Sequence, residues 1–145
     1  MDWIFGIGNE TRGDDGLGPI VVGRVASTET LQTQAVSQLT PELAETLSTA
    51  DRVLFVDASV AADRIELRGI APRPAHGLGH ALSPEGLLEL TGRAFGRSPE
   101  GWLLSIPGRS FDAEEGLSRA AAARVDRAEE MVREWTRRTV VTVDG

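Results

Sequence analysis

Polar residues stand at three places in the sequence where a metal site or an acid/base site could form. Asp14 and Asp15 lie in the run GDDGLG at residues 13–18, and Asp57 directly follows the apolar run VLFV. His80 ends a segment rich in proline and glycine. Two carboxylates and one imidazole would be an oxygen/oxygen/nitrogen ligand set, which suits nickel, zinc, manganese or iron. Three such ligands leave coordination positions open, as a catalytic or transferring site requires.

Each of these residues also has a purely structural interpretation. An acid just before a helix, such as Asp14 or Asp15, commonly caps that helix. Asp57 at a strand end could form an Asx turn. A loop histidine is more often exposed than bound to a metal, and His76 is a weaker candidate than His80 because it lies further from the next helix start. The spacing of these residues leaves both interpretations open.

The elements that must position these residues alternate between strands and helices. Apolar periodicity and local start and stop residues predict strands at residues 3–7, 34–39, 52–57, 64–68 and 102–106, and helices at 16–27, 40–50, 83–95 and 118–135. Residues 140–143 are either a short strand or a tail. The chain is therefore expected to be a single α/β domain over residues 1–145, a three-layer sandwich with a mixed, mostly parallel five-stranded sheet and helices on both faces.

The length of the connection between the third and fourth predicted strands indicates which strand of the sheet is antiparallel. Only about six residues join them, which is too short for a crossover helix, so the fourth strand is expected to pair antiparallel to the third. In open α/β sheets, ligands bind outside the carboxyl ends of the parallel strands. If the first and third strands are near neighbours, an acid of the glycine-rich run faces Asp57 there.

Composition excludes several classes of protein. The formal net charge is −7 and the pI about 4.8, so a phosphate backbone would be repelled and nucleic acid is not an expected partner. The sequence has no cysteine, which removes thiolate metal sites and a cysteine nucleophile. We expect a cytoplasmic protein that does not associate with a membrane, because the first residues lack a secretory pattern and no apolar run is long enough to span a bilayer.

Dinucleotide binding is a weaker alternative on the same fold. Gly6 and Gly8 begin the glycine fingerprint, but Thr11 stands where its third glycine belongs. The predicted second strand ends in Leu39, with no acid to bind a ribose. No organic cofactor is therefore expected.

The order and spacing of four segments resemble the hydrogenase maturation proteases. These segments are GIGN at residues 6–9, GDDGLG at 13–18, FVDA at 55–58 and His80 ahead of a helix, and the resemblance runs from residue 4 to about 135. It implies a cytoplasmic endopeptidase that trims the C-terminal extension of the large-subunit precursor of a nickel-iron hydrogenase. It also implies that nickel arrives with the precursor.

The same resemblance implies roles for individual residues. Asp15, Asp57 and His80 correspond to the family's metal-recognition and catalytic residues, while the general base among them stays unassigned. Asp14 is then expected to cap the following helix, at about 1 kcal/mol of stability. The alternative function is a metal-dependent binding or chaperone module that recognises the same precursor without cutting it. Residues 71–79 are expected to be mobile until substrate binds.

Overall fold

A five-stranded sheet forms the middle layer of the protein. The computed structural model describes residues 1–74, 82–109, 111 and 116–138. Within these residues the strands are β1 (Asp2–Ile7), β2 (Leu31–Val36), β3 (Arg52–Ser59), β4 (Glu66–Ile70) and β5 (Glu100–Pro107). Their order across the sheet is β2-β1-β3-β5-β4, with β2, β1, β3 and β5 parallel and β4 antiparallel. The predicted mixed, mostly parallel sheet is confirmed.

Five α-helices are formed by the residues that the structure describes, and a short 3-10 helix (Gly13–Gly16) precedes the first. They are α1 (Leu17–Gly23), α2 (Leu43–Leu47), α3 (Pro84–Phe95), α4 (Arg119–Ala122) and α5 (Val125–Arg137). The start of α3 follows from its sequence, because the Ser83 side chain accepts a hydrogen bond from the Gly86 amide at 2.9 Å and proline follows it. Gly96 ends α3 with φ +82°. None of these helices is long and apolar enough to cross a membrane.

Strand residues alternate between two buried faces of the sheet. Leu54 and Val56 of β3 pack in one core cluster with residues of α1 and α5. Val53 and Phe55 pack in the other, with residues of α2 and α3. The predicted three-layer sandwich with helices on both faces is therefore confirmed. By the same alternation, the side chain of Asp57 is directed to the face that carries α2 and α3.

The partner predicted for the fourth strand is wrong. β4 is antiparallel to the other strands, as expected, but it pairs with β5 and not with β3. The reason is that β5 pairs with β3 along the whole strand, from Arg52 opposite Glu100 to Ser59 opposite Pro107, and so occupies that edge. The short connection after β3 therefore passes the end of β5, and β4 forms the edge of the sheet.

Several predicted boundaries also differ from the structure. β2 lies three residues earlier than predicted, because its pairing with β1 begins at Leu31 opposite Asp2. The helix predicted over residues 118–135 is divided into α4 and α5, and α1 and α2 are shorter than predicted. The possible strand at residues 140–143 lies outside the described residues.

Helix α1 lies in direct backbone contact with the carboxyl ends of β1 and β3. A Cβ atom on Gly18 would lie 2.4 Å from the carbonyl oxygen of Val56 and 2.6 Å from that of Ile7. A Cβ atom on Gly6 would lie 2.5 Å from the carbonyl oxygen of Gly18. No side chain fits between these segments, so glycine is required for the helix to approach the strands this closely.

This contact predicts that two glycines of α1 respond oppositely to alanine. Gly18→Ala is expected to lower the free energy of unfolding by about 2 to 3 kcal/mol, because the new methyl group meets backbone atoms that cannot move independently. Gly23→Ala is the matched control, since no atom lies within 4 Å of a Cβ there, and it should be neutral or stabilise by up to about 1 kcal/mol. Urea unfolding measures both, and equal effects would contradict the assigned contact.

Candidate active site

The carboxyl ends of β1, β3 and β5 bring the candidate residues to one edge of the sheet. Ile7, the last residue of β1, is paired with Asp57 of β3, and Asp57 is paired with Ser105 of β5. The first and third strands are therefore direct neighbours. A ligand held at this edge would contact the turn after β1 and the end of β3 together.

The turn after β1 brings Asp15 back to the strand end. Gly8 has φ +140°, and a Cβ on it would lie 1.9 Å from the carbonyl oxygen of Asp15. The amide of Asn9 donates a hydrogen bond to Oδ2 of Asp15 at 2.9 Å. The Asn9 side chain in turn accepts from the amide and the hydroxyl of Thr11, at 2.9 and 2.6 Å. These contacts hold the partly buried Asp15 carboxylate at the edge of the sheet.

Asp57 is partly buried and lies within electrostatic range of Asp15. Burial raises the pKa of Asp57 to about 7, the Ala58 amide opposes that shift by hydrogen bonding, and the negative charge of Asp15 adds to it. A carboxyl with this pKa exchanges its proton near neutral pH, as a general acid or base must. The structure thus brings Asp15 and Asp57 together.

The third predicted residue, His80, lies outside the described residues, as does His76. The described part of the sequence between them and α3 consists of Leu82 and Ser83, and α3 packs on the face to which Asp57 is directed. Among the described residues, no group of three His, Cys, Asp or Glu side chains could hold a metal ion. The ligand set of Asp15, Asp57 and His80 therefore stays a prediction, as does the mobility expected for residues 71–79, of which 75–79 are not described.

The helix-cap role predicted for Asp14 is wrong. The Asp14 side chain caps neither the 3-10 helix nor α1, and it is completely buried. It accepts hydrogen bonds from the amide of Arg109 at 2.8 Å, from the amide of Ser118 at 2.7 Å and from the Ser118 hydroxyl at 2.9 Å. Asp14 therefore joins the segment after β5 to the start of α4. These partners lie 95 and 104 residues further along the chain, so no local pattern could have indicated the role.

These features define an open α/β protein with an interacting pair of carboxylates at the carboxyl edge of its sheet. No protein-family model matches the chain, and no curated protein matches it in a sequence search. Solved structures with the same fold do exist, and those that follow are hydrogenase maturation enzymes.

The HybD maturating endopeptidase of E. coli aligns with a TM-score of 0.77 at 17% identity, over 95% of this chain and 93% of that one. The HycI maturation protease of Thermococcus kodakarensis aligns with a TM-score of 0.73 at 23% identity, over 92% and 90% of the two chains. The hydrogenase 2 maturation peptidase of a Thaumarchaeota archaeon gives 0.69 at 24% identity, over 94% and 97%. The chain has the fold of these enzymes over nearly its whole length.

The hydrogen bonds of Asp14 predict a large loss of stability when its carboxylate is removed. Asp14→Ala removes a fully buried acceptor and leaves the partly buried donors of Arg109 and Ser118 without it, so we expect a loss of about 3 kcal/mol or more instead of the 1 kcal/mol of a surface cap. Asp126→Ala is the control, because that carboxylate is 91% exposed and its solvent-screened ion pair with Arg24 should contribute little to stability. Chemical denaturation measures both variants, and similar small losses would contradict the anchoring role.

The raised pKa of Asp57 predicts a specific pH dependence of stability. The pKa of Asp57 is about 7 in the folded protein, whereas that of an aspartate in the unfolded chain is about 4. The contribution of this group to stability is therefore fully present below about pH 4 and is lost as the pH rises to about 7. Asp57→Asn removes the buried charge, so its stability relative to the unchanged protein should grow between pH 4 and 7.

Above pH 7 the gain should level off at no more than about 4 kcal/mol, the free energy that corresponds to the difference between the folded and unfolded pKa values. Denaturation midpoints between pH 4 and 8 give the measurement. Asp63→Asn controls for the loss of one negative charge at an exposed position. A gain that is the same at every pH would rule out the assigned titration.

Proposed function

We propose that this protein is an endopeptidase that removes the C-terminal extension of the nickel-loaded large-subunit precursor of a nickel-iron hydrogenase. The observation that carries the proposal is the interacting pair Asp15 and Asp57 at the carboxyl edge of a sheet whose fold is that of the maturation endopeptidases. The proposed place of action is the cytoplasm, with no nucleic acid or membrane as partner and no organic cofactor.

Nickel enters this proposal as cargo of the precursor. The negative charge of Asp15 makes ionisation of Asp57 more costly, so a divalent cation between the two carboxylates would relieve repulsion that the folded protein otherwise carries. His80 is the proposed third ligand, and this oxygen/oxygen/nitrogen set suits nickel. On the precursor, nickel would supply Lewis acidity at the scissile carbonyl and make a nearby water more acidic.

Asp15 and Asp57 would then have different roles in hydrolysis. Asp57, whose pKa is about 7 before the nickel-loaded precursor arrives, is the proposed general base. Its carboxylate would take a proton from water and return one to the departing amine. Asp15, whose carboxylate is oriented by the Asn9 amide, is proposed to hold the metal end of the substrate in place. This division makes the enzyme an aspartate-type peptidase, and the absence of cysteine from the sequence is consistent with it.

Incubation with the purified nickel-loaded precursor tests the proposal, with loss of the extension followed on a gel. We expect the unchanged protein to cut the precursor and Asp57→Asn to reduce the rate by about 100-fold or more, because the proton acceptor is lost. Asp63→Asn should cut normally. A stable complex without cleavage by the unchanged protein would instead support the binding-module alternative, and normal cleavage by Asp57→Asn would overturn the assigned base.

The histidines provide a second arm of the same assay. His80→Ala is expected to abolish processing, whereas His76→Ala should be much milder. Since an imidazole ligand must be neutral, processing should also fall as the pH drops through about 6.5. Equal losses from the two variants would argue against His80 as the ligand.

A further inference from the structure

Two exposed arginines, Arg12 and Arg109, lie in the segments that follow β1 and β5, at the edge of the sheet that carries the carboxylate pair. The sequence contains no lysine, so its 15 basic side chains are arginines. Three of those on and next to α5 have carboxylate partners, as in the ion pairs of Arg24 with Glu129 and of Arg127 with Glu130. Arg12 and Arg109 are exposed, and neither guanidinium has an ion pair or side-chain hydrogen bond in the part of the chain that the structure describes.

Arg12 belongs to the turn that holds Asp15. Its amide donates to the carbonyl oxygen of Asn9 at 3.0 Å, and its own carbonyl oxygen accepts from the amide of Asp15 at 3.1 Å. The backbone of Arg12 is thus fixed directly beside the first carboxylate.

Arg109 follows the end of β5, next to the end of β3 that carries Asp57. The preceding residue, Gly108, donates its amide to the carbonyl oxygen of Ser59 at 3.0 Å, and a Cβ on Gly108 would lie 3.4 Å from that of Ala58. The Arg109 amide is bound to the buried Asp14 carboxylate. Since Asp14 is two residues from Arg12, this hydrogen bond joins Arg109 to the segment that carries Arg12 and Asp15.

Neither Arg12 nor Arg109 has a side-chain partner among the described residues, and both are exposed. The two cations are therefore available to a binding partner.

We propose that Arg12 and Arg109 form a docking surface for acidic side chains of the polypeptide substrate, on the segment next to the bond to be cut. The inference rests on the proposed function and adds the chemistry of the substrate. The guanidinium group binds a carboxylate through two parallel hydrogen bonds, which gives direction as well as affinity. The chain carries a net charge of −7, so an acidic segment would otherwise be repelled from this edge of the sheet.

NMR titration of the 15N-labelled protein with short peptides tests this docking surface without metal or cleavage. The probes are acetyl-Glu-Gly-Glu-Gly-Glu-amide and the same peptide with glutamine in place of glutamate. We expect the glutamate peptide to shift the side-chain Nε–H signals of Arg12 and Arg109, and the glutamine peptide to leave them unchanged. The Arg12→Gln, Arg109→Gln double variant should weaken binding of the glutamate peptide about tenfold.

Arg137→Gln is the matched control for charge. Arg137 is exposed at the end of α5, and this end is bound by Arg52, the first residue of β3, so it lies at the opposite edge of the sheet. Its substitution should leave peptide binding unchanged. Equal shifts from the two peptides, or an equal loss in Arg137→Gln, would overturn the proposal.

Two further measurements distinguish an acidic side chain from a chain terminus as the ligand, and docking from cleavage. Binding only by peptides with a free terminal carboxylate would identify a chain terminus as the ligand and overturn the proposal of acidic side chains. Asp57→Asn should still bind the glutamate peptide. If the unchanged protein binds that peptide but does not cut the precursor, the proposed cleavage is wrong and the docking surface is supported. If it cuts the precursor but does not bind the peptide, only the docking surface is wrong.

Discussion

The close contact between α1 and the ends of β1 and β3 is the constraint on which the candidate site depends. Gly6 and Gly18 allow two backbones to meet where any side chain would collide, and Gly8 allows the chain to return against Asp15. Because the 3-10 helix immediately precedes α1, fixing α1 on the strand ends also fixes Asp15 near Asp57. The glycines therefore determine the distance between the two carboxylates, although they take no part in the chemistry.

Two carboxylates close to this contact have opposite roles because their surroundings differ. Asp14 is fully buried, and the amide and hydroxyl donors of Arg109 and Ser118 compensate the loss of water, so it stabilises the arrangement of two distant segments. At Asp57 the Ala58 amide offsets only part of the cost of burial, so ionisation is costly. One carboxylate is thus suited to holding the structure and the other to exchanging a proton. The anchoring carboxylate also holds Arg109 beside the site, which links the stability of the fold to the proposed recognition of substrate.

Sequence-based prediction was more accurate for features that depend on neighbouring residues than for features that depend on residues far apart in the chain. The start of α3 was predicted because Ser83 and Pro84 act within one helical turn. The partner of β4 was predicted wrongly, because it depends on which edge of β3 is already occupied by β5. That an acid of the glycine-rich run would face Asp57 could be anticipated from two strand ends in one sheet. The arginines beside them had no pattern that distinguished them from other surface arginines.

The amino-acid sequence by itself determined the alternation of strands and helices, the layered architecture and the glycine-rich turn after β1. These features follow from apolar periodicity and from backbone preferences that act over a few residues. Only the tertiary structure decided that Asp14 is buried and Asp15 lies at the site, that β4 pairs with β5, and that burial raises the pKa of Asp57. Each of these depends on groups far apart in the chain, such as Asp14 and Ser118, whose contact exists only once the sheet and its helices have packed together.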